Sequence, residues 1–356
     1  MKSICLNMLV NNDSNRILKS LQSVAHLIDY WVICDTGSSD NTADLVETFF
    51  KEKGIAGELH HVEWKNYGFN RSQAIKLAGT RCDYLLFMDA HLELIDSGFD
   101  KRKLTSHHYM MQQRNGTLTY YTTRLVSTEL GWKSIGVTHE YYEVPGINVA
   151  AHKLEKLYVV DHSDSATLAE KIKRDIVLLN EGITAEPEND RYKFYLANSY
   201  RDSGDFTSAI VWYDRRISAG GWEEEVYYAK YMKMICQAQA ACAFETWLYT
   251  GLDAFAFRPV RLEALYEIVK QCRITGQHRL GYQLGRNQEN ARVPADVLFV
   301  DRAIYEWKFL DELAVCAYFA GDKKTSLRIT NILLNNKKYP ECEHARLLAN
   351  KALAVK

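Results

Sequence analysis

Apolar runs and helical stripes alternate along the chain up to Asp89. "SICLNMLV" (3–10) is a largely apolar run that stops at "NNDSN", which is turn and helix-cap chemistry. "RILKSLQSVAHLI" (16–28) then sets Ile17, Leu18, Leu21, Val24 and Leu27 at helical spacing. "YWVICD" (30–35) is a second strand pattern, and "TGSSDNT" (36–42) is a loop leading into the helix "ADLVETFFKEKG", closed by Gly54. "ELHHVEW" reads as a third strand, "RSQAIKLAGT" as a helix and "DYLLFMD" as a fourth strand. This alternation with short links predicts a mostly parallel sheet flanked by helices. In such sheets ligands bind beyond the carboxyl ends of the strands. Asp35 and Asp89 stand at two of those ends. Tyr84 to Met88 carry no polar interruption, as in a strand buried on both faces, and His91 follows Asp89 by two positions.

From Thr167 onward the pattern is almost wholly helical, and three passages resemble one another. "YLANSYRDSGDFTSAIVWYDRRI" (195–217) places Leu196, Ala197, Tyr200, Gly204, Ala209 and Tyr213 as in a tetratricopeptide helix pair. "LAVCAYFAGDKKTSLRITNILL" (313–334) repeats the scheme, and "EALYEIVKQCRITGQHRLGYQL" (263–284) is a looser copy. Their marker glycines Gly204, Gly276 and Gly321 are unevenly spaced, so the array is degenerate: a stack of helical hairpins, each burying a face on the next. The expected organisation is an α/β domain over 1–165 and a helical, tetratricopeptide-like domain over 166–356.

Composition narrows the choice of partners. The 356 residues are 47% hydrophobic and 25% charged, with 44 basic and 45 acidic side chains and a formal charge of −1, which does not favour nucleic acid. Eight scattered cysteines without a C-x-x-C pair read as reduced thiols rather than a disulfide frame. The opening apolar run is too short for a signal peptide, and no segment reaches membrane-spanning length, so a cytoplasmic protein is expected.

The loop "CDTGSSDNT" (34–42) crowds polar side chains at a helix entrance. As a capped strand-to-helix turn it needs no function. A second acid, Asp89, at another strand end of the same sheet gives it one, because two carboxylates converging on a crevice repel unless something offsets them.

Here the sequence resembles the inverting glycosyltransferases of family 2, nucleotide-sugar enzymes of GT-A fold. "NND" (Asn11 to Asp13) stands where the family writes "KNE", and "DTGSSDNT" follows at the family's spacing. "WKNYGFNRSQAIKLA" (64–78) is similar to "W-x-x-F-x-x-x-R-N-x-A", and "LLFMDAHLEL" to "L-x-x-D-A-D-x-x-L". "TRLVSTELGWKSIGVTHEYYEVPG" (123–146) resembles "RLF…W…G…HE" in the subset with tetratricopeptide-like tails. The resemblance implies that Asn11 and Asp13 flank the base pocket, that Asp35 contacts uracil or ribose, and that Asp40 lies on the same wall. Asn70 and Arg71 would face the diphosphate, where a guanidinium can bind two oxygens at once. "NNDS" for "KNE" and "NRS" for "RN" are departures.

His91, where the family usually has a second Asp, is the larger departure. A carboxylate and an imidazole two residues apart suit a divalent ion, Mn²⁺ before Mg²⁺, and polypeptide N-acetylgalactosaminyltransferases carry a D-x-H variant. His162 in "VVDHSD" is the candidate third ligand after Asp89 and His91; the plain alternative makes His91 a turn residue. Inversion needs a base for the acceptor hydroxyl, which in "THE" is Glu140, with His139 as the alternative. Trp132 is a candidate stacking platform for an acceptor sugar, or a core residue.

The expectation is a metal-dependent glycosyltransferase moving sugar from a nucleoside-diphosphate donor, a UDP-sugar first, to a glycan, lipid-linked saccharide or polypeptide. The helical region would bind the acceptor, mediate a homo-oligomer, or brace the catalytic domain. The rival is a catalytically impaired interaction module, with the Asp-to-His change as its lesion.

Overall fold

The structure, a computed structural model, describes residues 2–115, 118–162 and 168–355. The chain divides into two compact units, Met1–Glu186 and Pro187–Lys356. The boundary expected from sequence, between 165 and 166, lies outside the described residues.

The first unit opens with β1 (Ile4–Val10), α1 (Ile17–Val24), β2 (Tyr30–Asp35), α2 (Thr42–Lys53), β3 (Gly57–His61), α3 (Tyr67–Ala78) and β4 (Tyr84–Asp89). This is the predicted alternation. Helix α3 begins four residues before the expected Arg71, because the Asn66 side chain caps it by accepting from the Phe69 N–H at 2.8 Å. Beyond β4 follow β5 (Leu92–Asp96), β6 (His108–Asn115), β7 (Leu118–Ser127), β8 (Lys133–Ile135), β9 (Tyr141–Glu143), β10 (His152–Asp161) and α4 (Leu168–Ala185).

Eight strands form one mixed sheet, ordered β3-β2-β1-β4-β7-β6-β10-β5, while β8 and β9 pair separately. Strands β3, β2, β1 and β4 run parallel, and β7 is antiparallel to β4. The chain order reverses between β1 and β4, with Leu9 beside Asp89 and Val10 beside Asp35 in register. That reversal opens the crevice in which such sheets hold ligands. Alternating side chains of β1 and β4 feed two cores: Ile4, Leu6, Met8, Tyr84, Leu86 and Met88 on one face, Cys5, Leu85 and Phe87 on the other. Burial on both faces is why "YLLFM" reads as an unbroken apolar run.

The second unit is helical: α5 (Asp190–Asp202), α6 (Phe206–Ala219), α7 (Glu223–Gln239), α8 (Phe244–Phe257), α9 (Glu263–Ile274), α10 (His278–Gly285), α11 (Phe309–Phe319), α12 (Lys323–Asn336) and α13 (His344–Val355). Successive helices pack as hairpins. The three marker glycines lie in turns between paired helices at φ +84°, +74° and +97°, where a side chain would strain the backbone. Among the described residues no helix is long and apolar enough to cross a membrane.

Candidate functional site

Two loops lace together at the ends of β1 and β2. Asn12, at φ +53°, accepts with Oδ1 from the Ser39 N–H at 2.8 Å and the Asp40 N–H at 3.3 Å. In return the Asp13 N–H donates to Thr42 Oγ1 at 2.8 Å, and the Ser14 N–H to Asp40 Oδ2 at 3.1 Å. The Thr42 hydroxyl donates to Asp40 Oδ1 at 2.5 Å, and this hydrogen bond above all holds the Asp40 carboxyl well below the usual carboxylate range.

The four expected wall residues therefore differ in standing. Asn11 and Asp40 are exposed, whereas Asp13 and Asp35 are buried. Asp35, 2% exposed, accepts through Oδ1 from the Gly37 and Ser38 N–H groups at 3.2 and 2.9 Å and so shapes its own loop, while its Oδ2 lies 3.4 Å from His61 Nδ1. Asp13 is likewise spent on the Asn11 N–H and on Arg16. Asn12, which the sequence reading passed over, is the residue that joins the two loops.

Beyond the end of β4 lies a chain of buried charges. Arg71 of α3 donates through Nη2 to Asp89 Oδ1 and through Nε to Glu140 Oε1 at 2.5 Å. Arg124 of β7 donates to Asp89 Oδ2 at 3.1 Å and to Gln113 Oε1 at 2.6 Å. Gln113 in turn donates to Asp161 Oδ2 at 2.9 Å. Burial pushes the Asp89 carboxyl up, but the guanidinium groups of Arg71 and Arg124 outweigh it and hold the group well below the usual carboxylate range. Tyr142 of β9 stacks on Phe87 with ring centroids 4.1 Å apart, and burial lifts its phenol to about 12.

Arg124, Gln113 and Asp161 were not singled out from sequence. Arg124 does stand in the "TRLV" stretch that resembled the family, so the signal was present. Its Nε has no hydrogen-bond partner although the residue is 9% exposed.

Three further sets of expected residues are placed as follows. Asn70 is fully buried: it accepts from the Lys65 and Asn66 N–H groups and donates to Glu63 O at 2.8 Å, so it fastens the entry to α3 rather than facing a diphosphate. Trp132 is 5% exposed, with Nε1–H bonded to Ser127 O at 3.0 Å; it packs in the core beside Cys5, Leu85 and Phe87 and also lines a cavity with Phe69, Gly131 and Lys133. The three expected metal ligands are neighbours, with the His162 N–H bonded to His91 O at 3.0 Å, but their side chains turn to other partners. His162 turns to Glu93 Oε2 at 2.7 Å and Lys19 Nζ at 3.0 Å, while His91 Nε2 faces Asp161 Oδ1 at 3.8 Å. Both Asp89 oxygens are engaged by guanidinium groups, and among the described residues no three His, Cys, Asp or Glu side chains converge on a point that could hold an ion. As they stand, these residues do not fit a shared divalent cation.

The turn 136–140 carries the two candidate bases. Tyr67 and Gly68, at the start of α3, donate their N–H groups to Val137 O and Gly136 O at 3.1 and 3.0 Å. Glu140 reaches Arg71, and His139 Nε2 lies 3.7 Å from Asp175 Oδ2 on α4.

Residues 8–102 match the family described as Glycosyl transferase family 2. The part of the N-terminal unit from β1 to β5 is thus similar to a family 2 glycosyltransferase domain, and a helical part follows the sheet. The chain is similar to the SPbeta prophage-derived glycosyltransferase SunS of Bacillus subtilis (strain 168), at 24% identity over 215 residues, 54% of this chain and 48% of that protein. It thus spans about half the length of the curated relatives it matches. Among solved structures, S. aureus TarS 1–349 superposes with a TM-score of 0.38 at 14% identity, covering 67% of this chain and 87% of that one. MamA 41-end from Desulfovibrio magneticus RS-1 superposes with a TM-score of 0.37 at 14% identity, covering 50% and 98%.

Proposed function

We propose that the protein transfers a sugar, with inversion, from a nucleoside-diphosphate donor to an acceptor nucleophile, with a UDP-sugar as the first donor to test. The observation that carries this reading is the ion-pair chain Glu140–Arg71–Asp89–Arg124 beyond β4, at the point where the sheet order reverses, with Arg71 and Asp89 inside the segment that matches the family. The likeness to a protein named glycosyltransferase SunS supports it.

The base would lie against the laced loops, with Asn11 and Asp40 as the exposed groups. Arg71 and Arg124 would hold the diphosphate and stabilise the charge that develops on it as it leaves. The unpartnered Nε–H of Arg124 is a donor that a phosphate oxygen would satisfy. No step is routed through a divalent ion. Transfer that stops with chelator and returns with Mn²⁺ would reinstate Asp89 and His91 as ligands, in a state where a guanidinium has released Asp89. The acceptor class, whether glycan, lipid-linked saccharide or polypeptide, belongs to this proposal, as does any homo-oligomer through the helical unit.

The test is release of UDP or GDP from a panel of sugar donors, with Mn²⁺ and with chelator, for the wild type and Arg71→Lys. Turnover is expected for at least one donor, with Arg71→Lys reduced about 10²-fold or more through loss of the bidentate fork. Neither binding nor turnover of any donor would sink the reading in favour of an interaction module.

A further inference from the structure

Helix α4 reaches the back of the turn that carries both candidate bases, and the contact is made by a buried acid. Asp175 is 3% exposed; its Oδ1 accepts from Thr138 Oγ1 at 2.9 Å, and its Oδ2 lies 3.7 Å from His139 Nε2. We propose that Asp175 is a positioning residue for His139, and that His139, rather than Glu140, takes the proton from the acceptor. This rests on the glycosyl-transfer reading above.

Three features on the same turn support it. First, Glu140 is committed: its Oε1 accepts from Arg71 Nε at 2.5 Å, and protonating it would strip a buried guanidinium of one of its two carboxylates. Second, His139 stands at φ +50°, a conformation unfavourable for a residue with a Cβ. The turn is held in it from both sides, by the Tyr67 and Gly68 N–H groups of α3 and by the Thr138–Asp175 bond to α4. Such a cost persists where the surroundings over-determine the geometry, as at a site that must aim one side chain.

Third, the electrostatics favour a cation at His139. Burial pushes the Asp175 carboxyl up, and Lys171, the Thr138 hydroxyl and Arg174 offset that only in part, so a further positive charge beside it would be favourable. Among the described residues, the charged and titratable groups around Asp175 include Lys171 and Arg174 on α4, Glu140 on the same turn and Tyr67 on α3. An imidazolium at His139 supplies that charge at 3.7 Å. In the step itself the acceptor O–H bond breaks and its proton passes to the imidazole of His139. The freed electron pair of the acceptor oxygen forms the bond to the anomeric carbon. The bond from that carbon to the diphosphate oxygen breaks, and its electrons leave on the diphosphate.

The experiment uses the full chain and follows the His139 imidazole by NMR titration, alongside UDP binding and UDP release from a donor sugar with acceptor. In the wild type the His139 midpoint should lie above the ordinary value of about 6.5. A midpoint at or below it overturns the pairing without any variant. Asp175→Asn should lower that midpoint and move the acid limb of the turnover profile to lower pH. Turnover should fall about 10- to 100-fold, with UDP affinity unchanged. Asp175→Glu, which keeps the charge, should restore part of the limb. A His139 midpoint unmoved in Asp175→Asn, or full turnover by His139→Gln while Glu140→Gln loses it, overturns the proposal. A wild type that releases UDP from no donor instead removes the glycosyl-transfer reading, and the NMR titration still reports whether Asp175 sets the imidazole.

Discussion

Asp89 is the residue on which chemistry and stability converge, and the two must be separated before any variant is interpreted. Its carboxylate neutralises two guanidinium groups that are themselves largely withdrawn from water. Asp89→Asn therefore leaves Arg71 and Arg124 short of a counter-charge, and a loss of about 3–5 kcal/mol is expected, read as a lower urea midpoint at unchanged slope. Loss of activity in that variant would say little about catalysis, which is why Arg71→Lys is the better probe. The pH dependence has a definite sign. The Asp89 pKa is depressed by folding, so its contribution is fully present above the unfolded carboxyl value of about 3.9 and is lost as pH falls through the folded value. Asp175 is shifted the other way by burial, so its contribution to stability grows as pH falls towards the unfolded carboxyl value and is constant below it. A melting-temperature series from about pH 7 to about pH 2 should show a flat or slightly rising region and then a steep fall below about pH 4. Replacing Arg124 with Met should shrink the fall, because one of the two guanidinium groups that depress Asp89 is gone.

At the scale of elements, the contact between α3 and the turn 136–140 fixes where Glu140 stands relative to Arg71. A Cβ on Gly68 would lie 2.3 Å from Gly136 O, a backbone atom that cannot swing aside. Gly68→Ala should displace the turn and carry Glu140 away from Arg71. A cost of about 1–3 kcal/mol is expected from overpacking. Turnover should fall about 10²-fold, the effect of a displacement near 1 Å, and both are checked by a melt and a donor-release assay on the same preparation. An unchanged turnover would show that the turn is not part of the site. This contact also marks where the sequence stops being readable. The elements from β1 to β4 were legible because each is a local pattern, an apolar run or a helical stripe bounded by caps, and Asp35, Arg71 and Asp89 came with them. Strands β6, β7 and β10 were not, because buried polar residues such as Gln113 and Arg124 break the apolar pattern and find their partners only across the sheet. For Trp132 and Asn70 the residue types suit a ligand, yet each satisfies polar atoms on nearby backbone, which sequence alone does not show. Asp175 sits in a helix whose amphipathic pattern gives no hint that one acid faces inward onto a turn far back in the chain.

For the whole molecule, the division into units sets a test of where the catalytic part ends. The first unit has its own hydrophobic cores, built on β1 and β4, and the second has separate ones among its helices. Units with independent cores can in principle fold alone. The compact division falls between Glu186 and Pro187, so α4, with Leu179 and Asp175 buried, counts with the sheet and not with the hairpins. A chain ended after Glu186 should therefore keep UDP binding close to that of the whole protein. A chain ended after residue 165, the boundary the change of sequence pattern suggests, lacks α4 and with it the carboxylate that holds Thr138 and His139. It should still show the far-ultraviolet signature of the mixed sheet, but its donor turnover should fall at least as far as that of Asp175→Asn. Calorimetric UDP titration and donor release, run on both truncations beside the full chain, decide between the two boundaries. Equal activity in the two truncations would mean that α4 belongs functionally with the helical unit and that the turn 136–140 is held without it.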